Sequence, residues 1–156
     1  MVKPFIKWVG GKGKILEDVF TYFPDKLEYY YEPFLGGGSV LIHLISMLEN
    51  DKMKCNNIVV NDLNTTLIDL YIYIKKSPIV FLKELDKIIS IYNKCEHIDY
   101  PKRYKFTKTS FEESIKGGKM SLYYHYRDMY NSEPQGIKKC ALFLFLNKTC
   151  FKGDVQ

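Results

Sequence analysis

The sequence predicts an α/β protein, the opening of a doubly wound and mostly parallel sheet followed by a helical segment. Three observations predict it. An aromatic run, Tyr29-Tyr30-Tyr31, leads into the glycine turn Gly36-Gly37-Gly38 and then into a segment of helical apolar spacing. A branched run, Ile58-Val59-Val60, ends on Asn61-Asp62 and again precedes a helical pattern. Strand, glycine turn, helix, strand, helix is how a parallel sheet covered by its own crossovers begins. Beyond Pro101 the strand patterns stop and helices joined by polar loops take over.

Each element has its own local reason. Gly10 to Lys14 is a polar turn, after which Ile15, Leu16, Val19, Phe20 and Phe23 recur at helical spacing. Pro24-Asp25 ends that helix. Tyr29, Tyr30 and Tyr31, leading into Phe34, suit a buried strand. Ser39 is placed to cap a helix whose apolar face is Leu41, Leu44, Ile45 and Leu48. Asn64 is placed to cap the next helix, with Leu67, Ile68, Tyr71 and Ile74 on one side. Ser77-Pro78 starts another, because proline at the first helical position gives up an N–H that has no partner anyway. That helix reaches about Tyr92 over Leu82, Leu85, Ile88 and Ile89. Tyr123 to Tyr130 and Ile137 to Asn147 read as helices around a loop at Asn131 to Pro134. The expected division is an α/β part over 1–100 and a basic helical segment over 101–156.

Composition narrows the class. The 156 residues suit one domain, and 46% apolar residues with 13 tyrosines and 10 phenylalanines suit a packed core. The longest apolar run, Cys140 to Leu146, is too short to span a bilayer, and Met1 to Trp8 lacks the apolar stretch of a signal peptide. No membrane association is expected, and the expected location is cytoplasmic, or the host cytoplasm if the chain is viral. Cys55, Cys95, Cys140 and Cys150 form no C-x-x-C pair, and His43, His97 and His125 are scattered, so neither a metal nor a disulfide frame is expected. Net charge is +5, unevenly placed: residues 1–101 carry 12 basic and 13 acidic side chains, residues 102–156 carry 11 and 5. Arg103-Tyr104-Lys105-Phe106 and Tyr123-Tyr124-His125-Tyr126-Arg127 interleave cations with aromatic rings. Such a segment fits a polyanion-binding face or a solvated basic face with buried tyrosines.

The glycine turn carries the first chemical reading. Glycine there lets the backbone take positive φ and approach a ligand, and N–H groups at the following helix start would face it. Asp62 stands 26 residues after Gly36, at the end of the second strand. A carboxylate in that place can accept both ribose hydroxyls. Turn, helix, strand and terminal acid together describe an adenosine-binding site; a lone glycine turn would be structural. Leu41 occupies the third small position of a dinucleotide fingerprint. A phosphate loop ending at Gly13-Lys14 would need glycine where Trp8 stands and Ser or Thr where Ile15 stands. S-adenosylmethionine therefore fits better than NAD or ATP.

Five segments then carry a resemblance. Lys7-Trp8-Val9-Gly10-Gly11-Lys12 is similar to the K-W-x-G-G-K segment of Dam-like, D12 class, DNA adenine-N6 methyltransferases. Glu32-Pro33-Phe34-Leu35-Gly36-Gly37-Gly38-Ser39 resembles their D/E-P-F-x-G-x-G-S motif, and Asn61-Asp62-Leu63-Asn64 their A/N-D-x-N motif. Tyr123 to Asn131 resembles Y-Y-x-x-R-x-x-F-N, with Tyr130 for Phe. Phe143 to Gly153 resembles L-F-L-x-L-N-R-x-x-F/Y-N-G, with Lys148 for Arg and Lys152 for Asn. The resemblance implies a Rossmann-like S-adenosylmethionine-dependent fold and a site-specific transfer of methyl to a flipped adenine in double-stranded DNA. It implies cofactor contacts from Trp8, Lys12, Phe34, Gly36, Gly38 and Asp62. It implies DNA contacts from Lys7, Arg127, Asn131 and Lys148.

The catalytic residues of that family sit in an Asp/Asn-Pro-Pro-Tyr/Phe motif, which holds the amino group and stacks on the flipped base. The prolines here are Pro4, Pro24, Pro33, Pro78, Pro101 and Pro134, and no two are adjacent. The catalytic set is thus absent from these residues. The expectation is an N-terminal part with an incomplete sheet, inactive alone and of low stability. It would act with a continuation or a complementing C-terminal half, or persist as a remnant that binds S-adenosylmethionine or DNA.

Overall fold

The computed structural model describes residues 4–150, which hold two β-strands and seven α-helices. Among them, residues 4–68 form one compact unit and residues 69–150 a second. The expected functional division at residue 100 falls inside the second unit, because the helix before it packs with the helices after it.

The first unit is a single parallel crossover with a helical lead-in. A 3-10 turn at Lys12–Lys14 precedes α1, Leu16–Phe20. Then come β1, Lys26–Glu32, α2, Ser39–Glu49, and β2, Lys54–Val60. The strands pair in parallel with Tyr30 opposite Ile58 and Glu32 opposite Val60. Both strands are longer than the apolar runs that announced them, since their polar first residues also join the ladder.

Side chains alternate across a strand, so one face of β1 packs inward. Tyr30 is 8% exposed and joins Leu16, Val40, Leu44 and Met53 in the core, with Phe20, Phe23 and Val60 against them. The Phe20 ring meets His43 edge-on at 4.5 Å. On the opposite face Tyr29 and Tyr31 stack on each other at 5.8 Å and remain 50% and 63% exposed, beside an exposed Val59. The expected buried strand is therefore buried on one face only. Phe34 lies beyond the strand end and is 71% exposed.

Ser39 does not cap α2. It is the first helical residue, and Gly38 holds the cap position with φ 69° and no side-chain bond. α3, Thr65–Lys76, starts as expected: Asn64 Oδ1 accepts from the Leu67 N–H at 3.0 Å. The boundary between the units lies inside α3.

The second unit is helical. α4, Pro78–Lys94, follows Ser77 with proline at its start. Its inward row is Phe81, Ile88 and then Cys95, while Leu82 and Ile89 point outward. The sequence offers two adjacent apolar rows there, and the row that packs inward is the one carrying the Phe81 ring. α5, Phe111–Lys116, is held by a full capping box in which Ser110 Oγ accepts from the Glu113 N–H and the Glu113 carboxylate accepts from the Ser110 N–H. α6, Gly118–Ser132, starts five residues earlier than its tyrosine run suggests, and α7 spans Ile137–Thr149. Leu122, Leu142 and Leu146 are fully buried, and the Phe145 ring meets Tyr92 at 5.0 Å and Tyr126 at 5.4 Å, both edge-on. No helix among the described residues is long and apolar enough to cross a membrane.

Candidate functional site

The C-terminal ends of β1 and β2 are laced together by backbone bonds. The Asn61 N–H donates to Glu32 O at 2.9 Å, and the Leu35 N–H donates to Asn61 O at 2.9 Å. These bonds bring the glycine turn after β1 beside the acid after β2, which is where open α/β sheets hold ligands. Asp62 completes the lacing. Its Oδ2 accepts from the Gly36 N–H at 2.8 Å, and its Oδ1 accepts from the Asn64 N–H at 3.0 Å. Each oxygen keeps a further lone pair, so the carboxylate fixes the turn and can still accept from a ligand.

The turn is built for close approach. Gly36 has φ 51°, and a methyl group on it would stand 3.0 Å from Trp8 Cδ1. One on Gly37 would stand 3.0 Å from Trp8 Cβ. The indole thus lies directly against glycine backbone, and any side chain at Gly36 meets both strain and the ring. Leu35 is buried beneath the turn while Phe34 stands out from it.

Trp8, Lys12, Phe34, Gly36 and Asp62 line one cavity of about 200 Å³ together with Glu32, Gly37 and Ser39. Five of the six expected cofactor residues are thereby brought together. Gly38 is not in the lining; it is buried and turns the chain into α2. Lys7 is exposed in the same unit and is not in the lining either.

Glu32 also lines the cavity; the resemblance places it in the glycine-turn motif but gives it no contact of its own. It is partly buried, and the Tyr30 hydroxyl donates to its Oε2 at 2.8 Å. Burial raises its carboxyl above the ordinary range, against the opposing pull of the Tyr30 hydroxyl, the Lys12 charge and the Leu41 N–H in the first turn of α2. The signal was available: an acid at the last position of a parallel strand, directly before a glycine turn, points to the ligand end of the sheet. The same burial, with Glu32 beside it, pushes the Tyr30 hydroxyl well above its usual value.

Arg127 and Asn131 lie one turn apart on α6, and Lys148 is exposed in the last turn of α7. All three belong to the second unit. The Arg127 guanidinium sits over the Tyr124 ring at 4.7 Å. Among the described residues, no group of three or more His, Cys, Asp or Glu side chains could hold a metal ion.

A family model for D12 class N6 adenine-specific DNA methyltransferases matches residues 8–155. The type II methyltransferase M.MjaIII of Methanocaldococcus jannaschii is 32% identical over 97% of this chain, which covers 47% of that protein. The DNA adenine methylase of Escherichia coli K12 is 24% identical over 97% of the chain and 42% of its own length. The DNA N-6-adenine-methyltransferase of Escherichia phage P1 is 27% identical over 97% of the chain and 16% of its own length. The chain therefore spans less than half the length of each of these relatives.

Proposed function

This chain belongs to the D12 class N6 adenine-specific DNA methyltransferase family, and from that premise we propose that it supplies the S-adenosylmethionine-binding half of a site-specific adenine methyltransferase. The observation that carries the proposal is the cavity in which Trp8, Lys12, Phe34, Gly36 and Asp62 converge at the ends of two parallel strands. Its donors and acceptors suit the cofactor part by part. Trp8 and Phe34 give apolar surface for the adenine, and Asp62 gives an acceptor for a ribose hydroxyl. Lys12 and Glu32 give one charge of each sign, which matches the carboxylate and ammonium of an amino-acid moiety. Bound there, the cofactor supplies an activated methyl group.

What the chain itself does is bind and orient. The Asp62 bonds hold the turn open for the ligand before it arrives, so little ordering remains to be done on binding. The acceptor side is a different matter. An exocyclic amine must leave the duplex and be held in line with the methyl group. With no adjacent prolines in the 156 residues, we assign that task to polypeptide outside them, whether a continuation or a complementing chain. The two strands are then the first of a Rossmann-like sheet, and the bare face at Tyr29, Tyr31 and Val59 is where further layers would pack. Arg127, Asn131, Lys148 and Lys7 are the proposed contacts to double-stranded DNA.

Titration calorimetry tests the cofactor assignment. S-adenosylmethionine should bind and NAD should not; the reverse result sinks the reading. Transfer of labelled methyl groups to adenine-containing duplex DNA by this chain alone would overturn the claim that it lacks the acceptor side.

A further inference from the structure

The second unit carries a charged surface that the site above does not use. Residues 100–109 form no helix or strand, yet they are tied to α6 or to the turn before it at three points. The Tyr100 hydroxyl donates to Gly117 O at 2.9 Å. The Phe106 ring stacks on Tyr124 at 4.4 Å and 17°. His125 Nδ1 lies 3.2 Å from Thr109 O. Within the segment, Tyr100, Tyr104 and Phe106 pack mutually with ring centres 4.6 to 4.8 Å apart. The rings form one pile that continues through Tyr124 to the Arg127 guanidinium.

What this pile holds in place is positive charge. Residues 100–108 contain Lys102, Arg103, Lys105 and Lys108 and no acid, and all four cations are exposed. Among the described residues, no carboxylate lies within ion-pair distance of these four or of Arg127. The nearest acid in sequence, Asp99, pairs with His97 at 3.3 Å, and Glu113 is engaged in the α5 cap. Four like charges close in sequence repel one another, and an untethered loop would spread them. Fixing them on aromatic anchors makes sense for a polyanion, whose binding then costs less ordering.

We propose that residues 102–108, with Arg127, form a phosphate-contacting strip that holds the backbone of duplex DNA without reading its sequence. The proposal rests on the functional reading above and adds to it a division of labour. The cations of the strip supply affinity and salt dependence, and base recognition lies elsewhere. Lysine and arginine on a backbone release counterions, so each contact adds about 0.9 to the slope of log affinity against log salt.

The test compares two triple variants of the full chain that change charge equally. Lys102→Gln/Arg103→Gln/Lys105→Gln removes the strip, and Lys83→Gln/Lys87→Gln/Lys94→Gln removes three exposed lysines of α4. Binding of short duplexes of several sequences is measured between about 50 and 200 mM salt. The parent chain should lose about 40-fold more affinity over that range than the strip variant, which corresponds to three contacts. The α4 variant should keep the parent slope, and the strip variant should weaken all duplexes alike. Equal slope losses in the two variants overturn the proposal, as does loss confined to one duplex sequence or tighter binding of single-stranded RNA. A second measurement needs no variant: duplex DNA should protect Lys102, Lys105 and Lys108 from acetylation in the parent chain, and unchanged labelling overturns the strip. The parent chain binding S-adenosylmethionine but not duplex DNA defeats this inference and the proposed DNA contacts, and leaves the cofactor assignment standing. Its binding DNA with the stated slopes but no S-adenosylmethionine defeats the functional reading alone.

Discussion

The two compact units bury their apolar residues to different degrees. In the helical unit Phe81, Leu122, Leu142 and Leu146 are sealed from solvent. In the α/β unit the sheet buries Tyr30 while Tyr29, Tyr31, Ile58 and Val59 stay exposed. A parallel sheet normally has both faces covered, and two strands alone are marginal in water. The difference teaches that the unit holding the cavity is the one whose sheet is less covered. Its order at the cavity comes instead from polar lacing, through Asp62, Asn61 and Glu32.

The largest effect should come from a substitution that attacks the better-packed unit. Leu146→Ala removes a fully buried side chain of α7 and should lower stability by about 2–5 kcal/mol. Val59→Ala, on the bare sheet face, should cost well under half of that, since its side chain already meets water. Urea unfolding followed by circular dichroism checks the pair. Equal losses would mean that the sheet face is covered in solution, by a second copy or otherwise, and the comparison would fail.

Next in size is Gly36→Ala in the α/β unit. A left-handed alanine costs about 1–2 kcal/mol, and its methyl group must also displace Trp8. S-adenosylmethionine affinity should fall at least about tenfold, while the helical unit keeps its circular dichroism signal. Unchanged affinity would show that the turn does not shape the cavity.

Ser110→Ala probes the helical unit from its edge. It removes one arm of the α5 capping box and should cost about 1 kcal/mol. Ser110→Asp should recover most of that, because aspartate accepts from the same N–H. If neither variant moves the unfolding midpoint, α5 is not part of the cooperative unit.

The contrast between the units also explains what could be read in advance. Local chemistry was legible: the Asn64 cap and the Ser77-Pro78 start follow from residue types at short range, and the placing of Asp62 near Gly36 follows from the order strand, glycine turn, helix, strand. The Ser-x-x-Glu signature at Ser110 to Glu113 is equally local and marks the start of α5. Three features were not legible, because each depends on what packs against what. An aromatic run does not say whether one or both of its faces will be covered, so Tyr29 and Tyr31 read as buried. Two adjacent apolar rows on α4 do not say which will turn inward. Ser39 has the composition of a cap, but Gly38 in a left-handed conformation takes that place, and the first turn of α2 meets the Glu32 carboxylate instead.

Glu32 gives the smallest and most specific way to sharpen the comparison, because it asks whether the polar groups beside the cavity of the α/β unit respond to pH. Burial holds its carboxyl above the ordinary 4.5, so over a window above that value the folded chain keeps a proton that the unfolded chain has released. Stability from that proton is fully present below about 4.5 and is lost as pH rises through the raised value. Glu32→Gln stays neutral throughout and keeps an oxygen for the Tyr30 hydroxyl. Melting temperatures of the parent chain should therefore fall relative to the variant as pH is raised from 4.5 towards neutrality, and the two curves should run together at more acidic pH. Curves that stay parallel throughout would mean that the carboxylate is satisfied in its charged form. Adding S-adenosylmethionine separates structure from binding: a ligand ammonium facing Glu32 favours the ionised carboxylate, so the ligand should reduce the fall in the parent chain and leave the variant's curve shape unchanged.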